Sequence, residues 1–193
     1  MEVAKGFKNT DFQKLDLSDP DSTDWNTAID IFIKRIEPRY LEPVRILIAE
    51  DSKLDVRDRR FGFTITAIMC LLIETLYCFQ KGILDNTGNA GITFREFLTE
   101  SDSFKDHFDE ESASAFYNHI RNGILHQAET KEKSRIRDVG PLVRKIDGSI
   151  AINRTEFFNL LENEFHSYID QLADTSNTEL RAAFITKMNH VCS

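Results

Sequence analysis

The chain has 193 residues, 41% hydrophobic and 29% charged, the size of one domain and enough apolar material for a real core. Its net charge of −8 excludes the strongly basic composition of a dedicated duplex-binding protein, though not a local basic site. Eight glycines and four prolines favour helices over a turn-rich β fold, and the sequence has no Walker loop, no dinucleotide turn and no zinc-ligand spacing.

Residues 1–22 are polar and acidic, with Asp16, Asp19, Pro20 and Asp21, and are expected to form a flexible arm ahead of a single helical domain over 23–193. Met1–Lys8 lacks the apolar stretch of a secretory leader, and the apolar run Ile65–Ile73 is too short to span a bilayer, so a cytoplasmic protein is expected. Trp25, Ile29, Phe32, Ile33, Ile36, Tyr40, Leu41 and Val44 recur at helical spacing. Pro38 and Pro43 lie inside that pattern, which therefore reads as a kinked helix or as two helices meeting near Glu37-Pro38. Glu50–Arg60 reads as a charged loop.

Phe61–Phe79 is apolar nearly all round and predicts a central helix. Glu74 interrupts it, and a carboxylate in that setting needs a cation or hydrogen-bond donors. Cys70 and Cys78 fall in the same helix and read as buried free thiols. Gly82 is a plausible C-cap, residues 82–92 a loop, and Thr93-Phe94-Arg95-Glu96 a capping box opening a short helix to about Leu98. Another helical turn is expected within Ser101–Phe108. A longer helix should run from Asp109 to about Ala128, with Phe116, Ile120, Ile124 and Leu125 on one face and Arg121, Asn122 and His126 on another. Ser134–Asp138 could be a short strand, and the two β-type runs around Asp147-Gly148 predict a hairpin, an insertion over about 134–152. Asn153 then caps an amphipathic helix, and a last helix starts at Asn177 or Thr178.

Arg121 and His126 are the reactive-looking pair. An Arg-x4-His spacing is short enough to arise by chance, and a surface arginine beside a packed histidine would read the same way. Three neighbouring features add to it. Asn122 and His126 are four apart and share a helix face. Gly123 sits mid-helix, where it costs roughly 1 kcal/mol relative to Ala; a close backbone approach by substrate or by a second copy of the helix would explain it, and so would ordinary packing. Lys131, Lys133, Arg135, Arg137, Arg144 and Lys145 follow against only Glu132 and Asp138, a basic patch that would attract phosphate or a simply solvated hairpin.

The stretch Phe116-Tyr117-x-x-Ile120-Arg121-Asn122-Gly123-Ile124-Leu125-His126-Gln127-Ala128-Glu129-Thr130 resembles the motif helix of the HEPN superfamily, in its bacterial and plasmid-borne families. The likeness extends over about residues 24–172 and includes Leu71-Leu72-Ile73-Glu74-Thr75 in the central helix. It implies an all-α, HEPN-like bundle, here carrying a small β-hairpin after the motif helix, that pairs as a homodimer through the motif helices. It also implies metal-independent RNA cleavage to 2′,3′-cyclic phosphate ends, without a cofactor. Arg121, Asn122 and His126 would then be catalytic, with Glu74, Tyr117, Gln127 and Glu129 in support and the six basic residues holding RNA. The same resemblance admits a toxin or phage-defence effector with an antitoxin or regulatory partner, or a dimer that binds a nucleotide, RNA or protein without cleaving anything. A regulatory adaptor using the acidic arm Asp16–Asp24 is a further reading.

Overall fold

In the computed structural model, which describes residues 1–193, the N-terminal segment is not a free arm. Strand β1 (Glu2–Ala4) pairs antiparallel with β2 (Phe7–Lys8), and the short helix α1 (Asn9–Phe12) follows. Val3, Ala4 and Phe12 enter the core, and the Val3 carbonyl accepts from both Arg35 and Arg39. Asn9 and Gln13 donate to the carbonyl of Cys192 near the far end of the chain. The segment is polar in composition, but three apolar side chains and its backbone bonds hold it down. Its carboxylates also bond locally, Asp24 accepting from the Asp16 amide and Asp16 from Ser18, while Asp16, Asp19 and Asp21 stay exposed.

Helix α2 (Asp24–Ile36) runs into a π-turn (Glu37–Leu41) and on into α3 (Glu42–Ser52). Pro38, which lacks a backbone donor, sits in the wider turn and Pro43 directly after it, so of the two expected arrangements the chain takes the single irregular helix. The charged segment after α3 makes a 3₁₀ turn at Val56–Asp58. Helix α4 (Gly62–Lys81) follows and ends on left-handed Gly82 as expected. By length and composition α4 could cross a membrane, unlike the shorter run read from sequence. Here it packs against α3, α5, α8 and α9, with Ile65, Met69, Leu72, Ile73 and Leu76 almost completely buried.

Helix α5 (Ala90–Glu100) begins three residues before the expected capping box. Thr93 is buried inside the helix and donates to Asn86 Oδ1, while Glu96 accepts from the Tyr77 hydroxyl instead of capping. Residues 101–107 form turns and no regular helix. Helix α6 (Glu110–Ala115) starts at the Asp109–Ser112 capping box, passes through a second π-turn (Phe116–Arg121) and continues as α7 (Asn122–Gln127).

The basic segment folds as β3 (Arg135–Arg137), β4 (Val143–Ile146) and β5 (Ser149–Asn153). The expected hairpin is present: β4 and β5 pair antiparallel around Asp147 and Gly148, both at positive φ. The unexpected partner is β3, which lies parallel to β5 on its other side, so the insertion is a three-stranded mixed sheet in the order β3-β5-β4. Asn153 Oδ1 caps α8 (Arg154–Ala173) by accepting from the Thr155 and Glu156 amides, and α9 (Thr178–Cys192) closes the fold.

One core cluster of 40 buried residues joins these elements. It is rich in aromatic pairs: Phe116 stacks on Phe157 at 5.0 Å, and Phe32 meets Phe79 at 4.6 Å. The three cysteines are buried and free. Beneath the sheet edge, a fully buried Asp51 accepts from the amides of Arg60 and Phe61 and pairs with Arg154 at 2.5 Å. Arg59 closes this network through Asp138.

Candidate active site

The motif helix is irregular where its arginine sits. Along a regular α-helix, Arg121 would lie roughly 140° round from Phe116, at about 100° per residue. Closing the turn from i to i+5 lowers the advance to roughly 82° per residue and brings Arg121 within about 50° of Phe116. Phe116 is fully buried against Phe157, so the π-turn aims Arg121 inward, towards α4.

There Arg121 meets Glu74. Its Nε and Nη2 donate to the same Glu74 oxygen at 3.1 and 2.7 Å, and its Nη1 donates to Asn122 Oδ1 at 3.1 Å. The guanidinium stands over the rings of Tyr117 and Phe94, 5.6 and 6.0 Å from their centroids. With side chains 18% and 24% exposed, Arg121 and Glu74 form a partly buried pair. Three of the five guanidinium hydrogens are engaged and two remain for a ligand. They border a cleft of about 260 Å³ lined by Ala67, Cys70, Leu71, Glu74, Ile124 and Leu125 besides Arg121. Leu71 and Leu125 stand at its rim, 57% and 60% exposed. Burial pushes the Cys70 thiol up, which keeps it protonated and unreactive despite its place in the wall.

Of the residues singled out in the sequence, the structure brings Arg121, Asn122, Glu74 and Tyr117 together. Asn122 orients Arg121, and its Oδ1 is not directed to His126. His126 is exposed in the last turn of α7 and does not line the cleft; within one chain, Arg121 and His126 are not assembled. Gln127 is exposed as well, and the Glu129 carboxylate turns back onto the Thr130 amide. Gly123 is explained within the chain. Ala128 adopts a left-handed conformation, the chain reverses, and a Cβ on Gly123 would stand 2.4 Å from the Glu129 carbonyl oxygen. The Lys131 amide fixes this reversal by donating to the His119 carbonyl at 2.8 Å.

The six basic residues do not form one patch. Lys145 is held by Asp109 and Glu111 beside the start of α6. Arg135, Arg137 and Arg144 share the opposite face of the sheet by alternation along the strands. Lys131 and Lys133 lie in the turn that leads to β3.

Ala67, Cys70, Leu71 and Phe94 belong to the site, although none of them was assigned to it from the sequence. The first three lie seven, four and three residues before Glu74, a spacing that places them on its face of α4 and could have revealed them. Phe94 carries no such signal, because its approach to Arg121 depends on how α5 packs on the π-turn. No three His, Cys, Asp or Glu side chains converge in a metal-ligating arrangement.

The chain matches no protein-family model, no curated protein and no solved structure.

Proposed function

We propose that the protein is a HEPN-type endoribonuclease that works as a homodimer and cleaves RNA without a metal. The observation that carries this reading is Arg121: a guanidinium held by Glu74, Asn122 and two aromatic rings, with two donors left at the border of an accessible cleft. Such a group is suited to a phosphorane whose negative charge grows in the transition state. In the reaction, the ribose 2′-oxygen attacks the adjacent phosphorus and the P–O5′ bond breaks. A 2′,3′-cyclic phosphate and a free 5′-hydroxyl result. The 2′-hydroxyl proton must go to a base, and the departing 5′-oxygen must receive one from an acid. Imidazole side chains suit both tasks near neutral pH. Since His126 stands outside the cleft of its own chain, the two motif helices meet around a two-fold axis in this reading, covering Leu71 and Leu125 and offering each Arg121 a partner histidine. The setting that fits is a cytoplasmic toxin or antiviral effector held in check by a protein partner.

A second reading, a dimer that binds RNA, nucleotide or protein without cleavage, is favoured by one feature: no side chain of the chain orients His126. A cleavage assay on single-stranded RNA in EDTA separates the two. The expected result is cleavage by wild type, and loss of about 100-fold or more in His126→Ala and Arg121→Lys, the size of effect seen when one transition-state donor is removed. Arg121→Lys keeps the charge beside Glu74 and loses the fork. Cleavage that persists in both variants, or wild-type inactivity across a wide RNA panel, refutes the ribonuclease; a monomer in light scattering at micromolar concentration refutes the shared site.

A further inference from the structure

Five of the 13 arginines, Arg57, Arg60, Arg135, Arg137 and Arg144, have no carboxylate or carbonyl acceptor within the chain; the other eight donate to or pair with one. All five lie in two segments that touch. The turn carrying Arg57 and Arg60 abuts β3: Val56, Arg59 and Gly62 line one cleft with Ile136, Arg137 and Asp138. In the sheet, Arg135 and Arg144 are both in register with Ala151, one on each side of β5. Strand spacing sets their Cα atoms about 10 Å apart, with Arg137 about 7 Å farther along β3 on the same face. Ala151 between them is 3% exposed yet stands outside the core cluster, as expected if the stems of the long flanking side chains cover it.

No strand residue on this face is acidic, and Asp138 is already taken by Arg59 and Arg154. In a chain of net charge −8, the three sheet guanidiniums, whose Cα atoms lie about one Debye length apart, repel each other, and an anion laid across them relieves that repulsion. We propose that the outward face of the β3-β5-β4 sheet, together with the Arg57–Arg60 turn, binds the phosphate backbone of single-stranded RNA. This rests on the ribonuclease reading for its choice of polyanion, and it gives that enzyme a substrate-holding surface separate from the Arg121 cleft. The arginines stand on the face of a three-stranded sheet rather than on a helix or a free two-stranded ribbon that could enter a duplex groove, whereas guanidinium planes can stack on unpaired bases.

The test is fluorescence anisotropy with the full-length protein and a labelled 2′-O-methyl RNA 12-mer, which offers no 2′-hydroxyl nucleophile, across a salt series. With about five phosphate contacts, log affinity should fall with log salt at a slope of about −3.5, from about 0.7 per contact on a single strand. Arg135→Ala/Arg144→Ala should lower the slope by about 1.4, which at 0.1 M salt is about 25-fold weaker binding. Lys105→Ala, on a lysine already paired with Asp102, should change neither. Both arginines are exposed, and unchanged melting of the double variant confirms its fold. An unaltered slope in the double variant, tighter binding of the matching duplex, or tighter binding of poly-glutamate overturns the assignment. Because the probe is read without cleavage, this face and the ribonuclease chemistry fail separately.

Discussion

Replacing Gly123 with Ala sets two effects of known sign against each other. In a helix interior the change should gain about 1 kcal/mol, because Ala loses less backbone entropy than Gly. At this position, however, the new Cβ would sit 2.4 Å from the Glu129 carbonyl oxygen and 3.1 Å from the Thr130 Cα. Both atoms are backbone, so no side-chain rotation relieves the contact. The reversal that carries them is fixed by left-handed Ala128 and by the Lys131–His119 bond, and it must move as a unit. Overpacking of this kind costs about 1–3 kcal/mol and, counting the lost geometry of the reversal, should exceed the helix gain by about 1–2 kcal/mol. For a chain of this length that lowers the melting temperature by about 2–8 °C. Differential scanning calorimetry on Gly123→Ala checks it. A melting temperature equal to wild type or higher would refute the reasoning, and if dimer affinity dropped at the same time, the glycine would be serving a second copy of the helix instead.

Two further outcomes follow from the buried polar groups. Burial opposes ionisation of Asp51, but the Arg60 and Phe61 amides and the Arg154 guanidinium outweigh it and hold the carboxyl below the usual range. A carboxyl lowered by folding stabilises the fold fully above its unfolded pKa of about 4 and loses that contribution as pH falls through and below 4. Asp51→Asn should therefore cost about 3 kcal/mol at pH 7, by leaving Arg154 poorly compensated, and the gap to wild type in thermal melts should narrow towards pH 3; a gap that stays constant with pH would show that the charge is not the cause. Asn153→Ala removes the cap of α8 and should cost about 1 kcal/mol in urea unfolding, and a midpoint within error of wild type would deny the cap its role.

The sequence was most legible where the signal is local. The central helix, its Gly82 cap, the Asp109 and Asn153 caps and the Asp147-Gly148 hairpin all follow from residues within a few positions of one another. Reading failed where a distant partner decides. Val3, Ala4 and Phe12 look incidental in a polar stretch until the core they enter is built. Thr93 and Glu96 have the spacing of a cap, but Asn86 and Tyr77 claim their side chains. Strand β3 falls within the expected Ser134–Asp138 strand, but its parallel pairing with β5, which decides which arginines share a face, has no local signal. At the site, Glu74 was legible because a carboxylate in an apolar helix demands a cation. The separation of Arg121 from His126 follows from regular spacing, about 140° over five residues. That Arg121 is the one turned towards α4 was not legible, because the π-turn ahead of it is an irregularity that spacing rules assume away.

That irregularity has a consequence for pattern searches. The π-turn is one surplus residue in an otherwise regular helix, and it lies at Phe116–Arg121, ahead of the Arg-x4-His interval. A relative that lost one residue there would keep the motif letter for letter, while its arginine swung away from Glu74. The spelling and the aim of the arginine are inherited separately, and only the length of the preceding turn records the second.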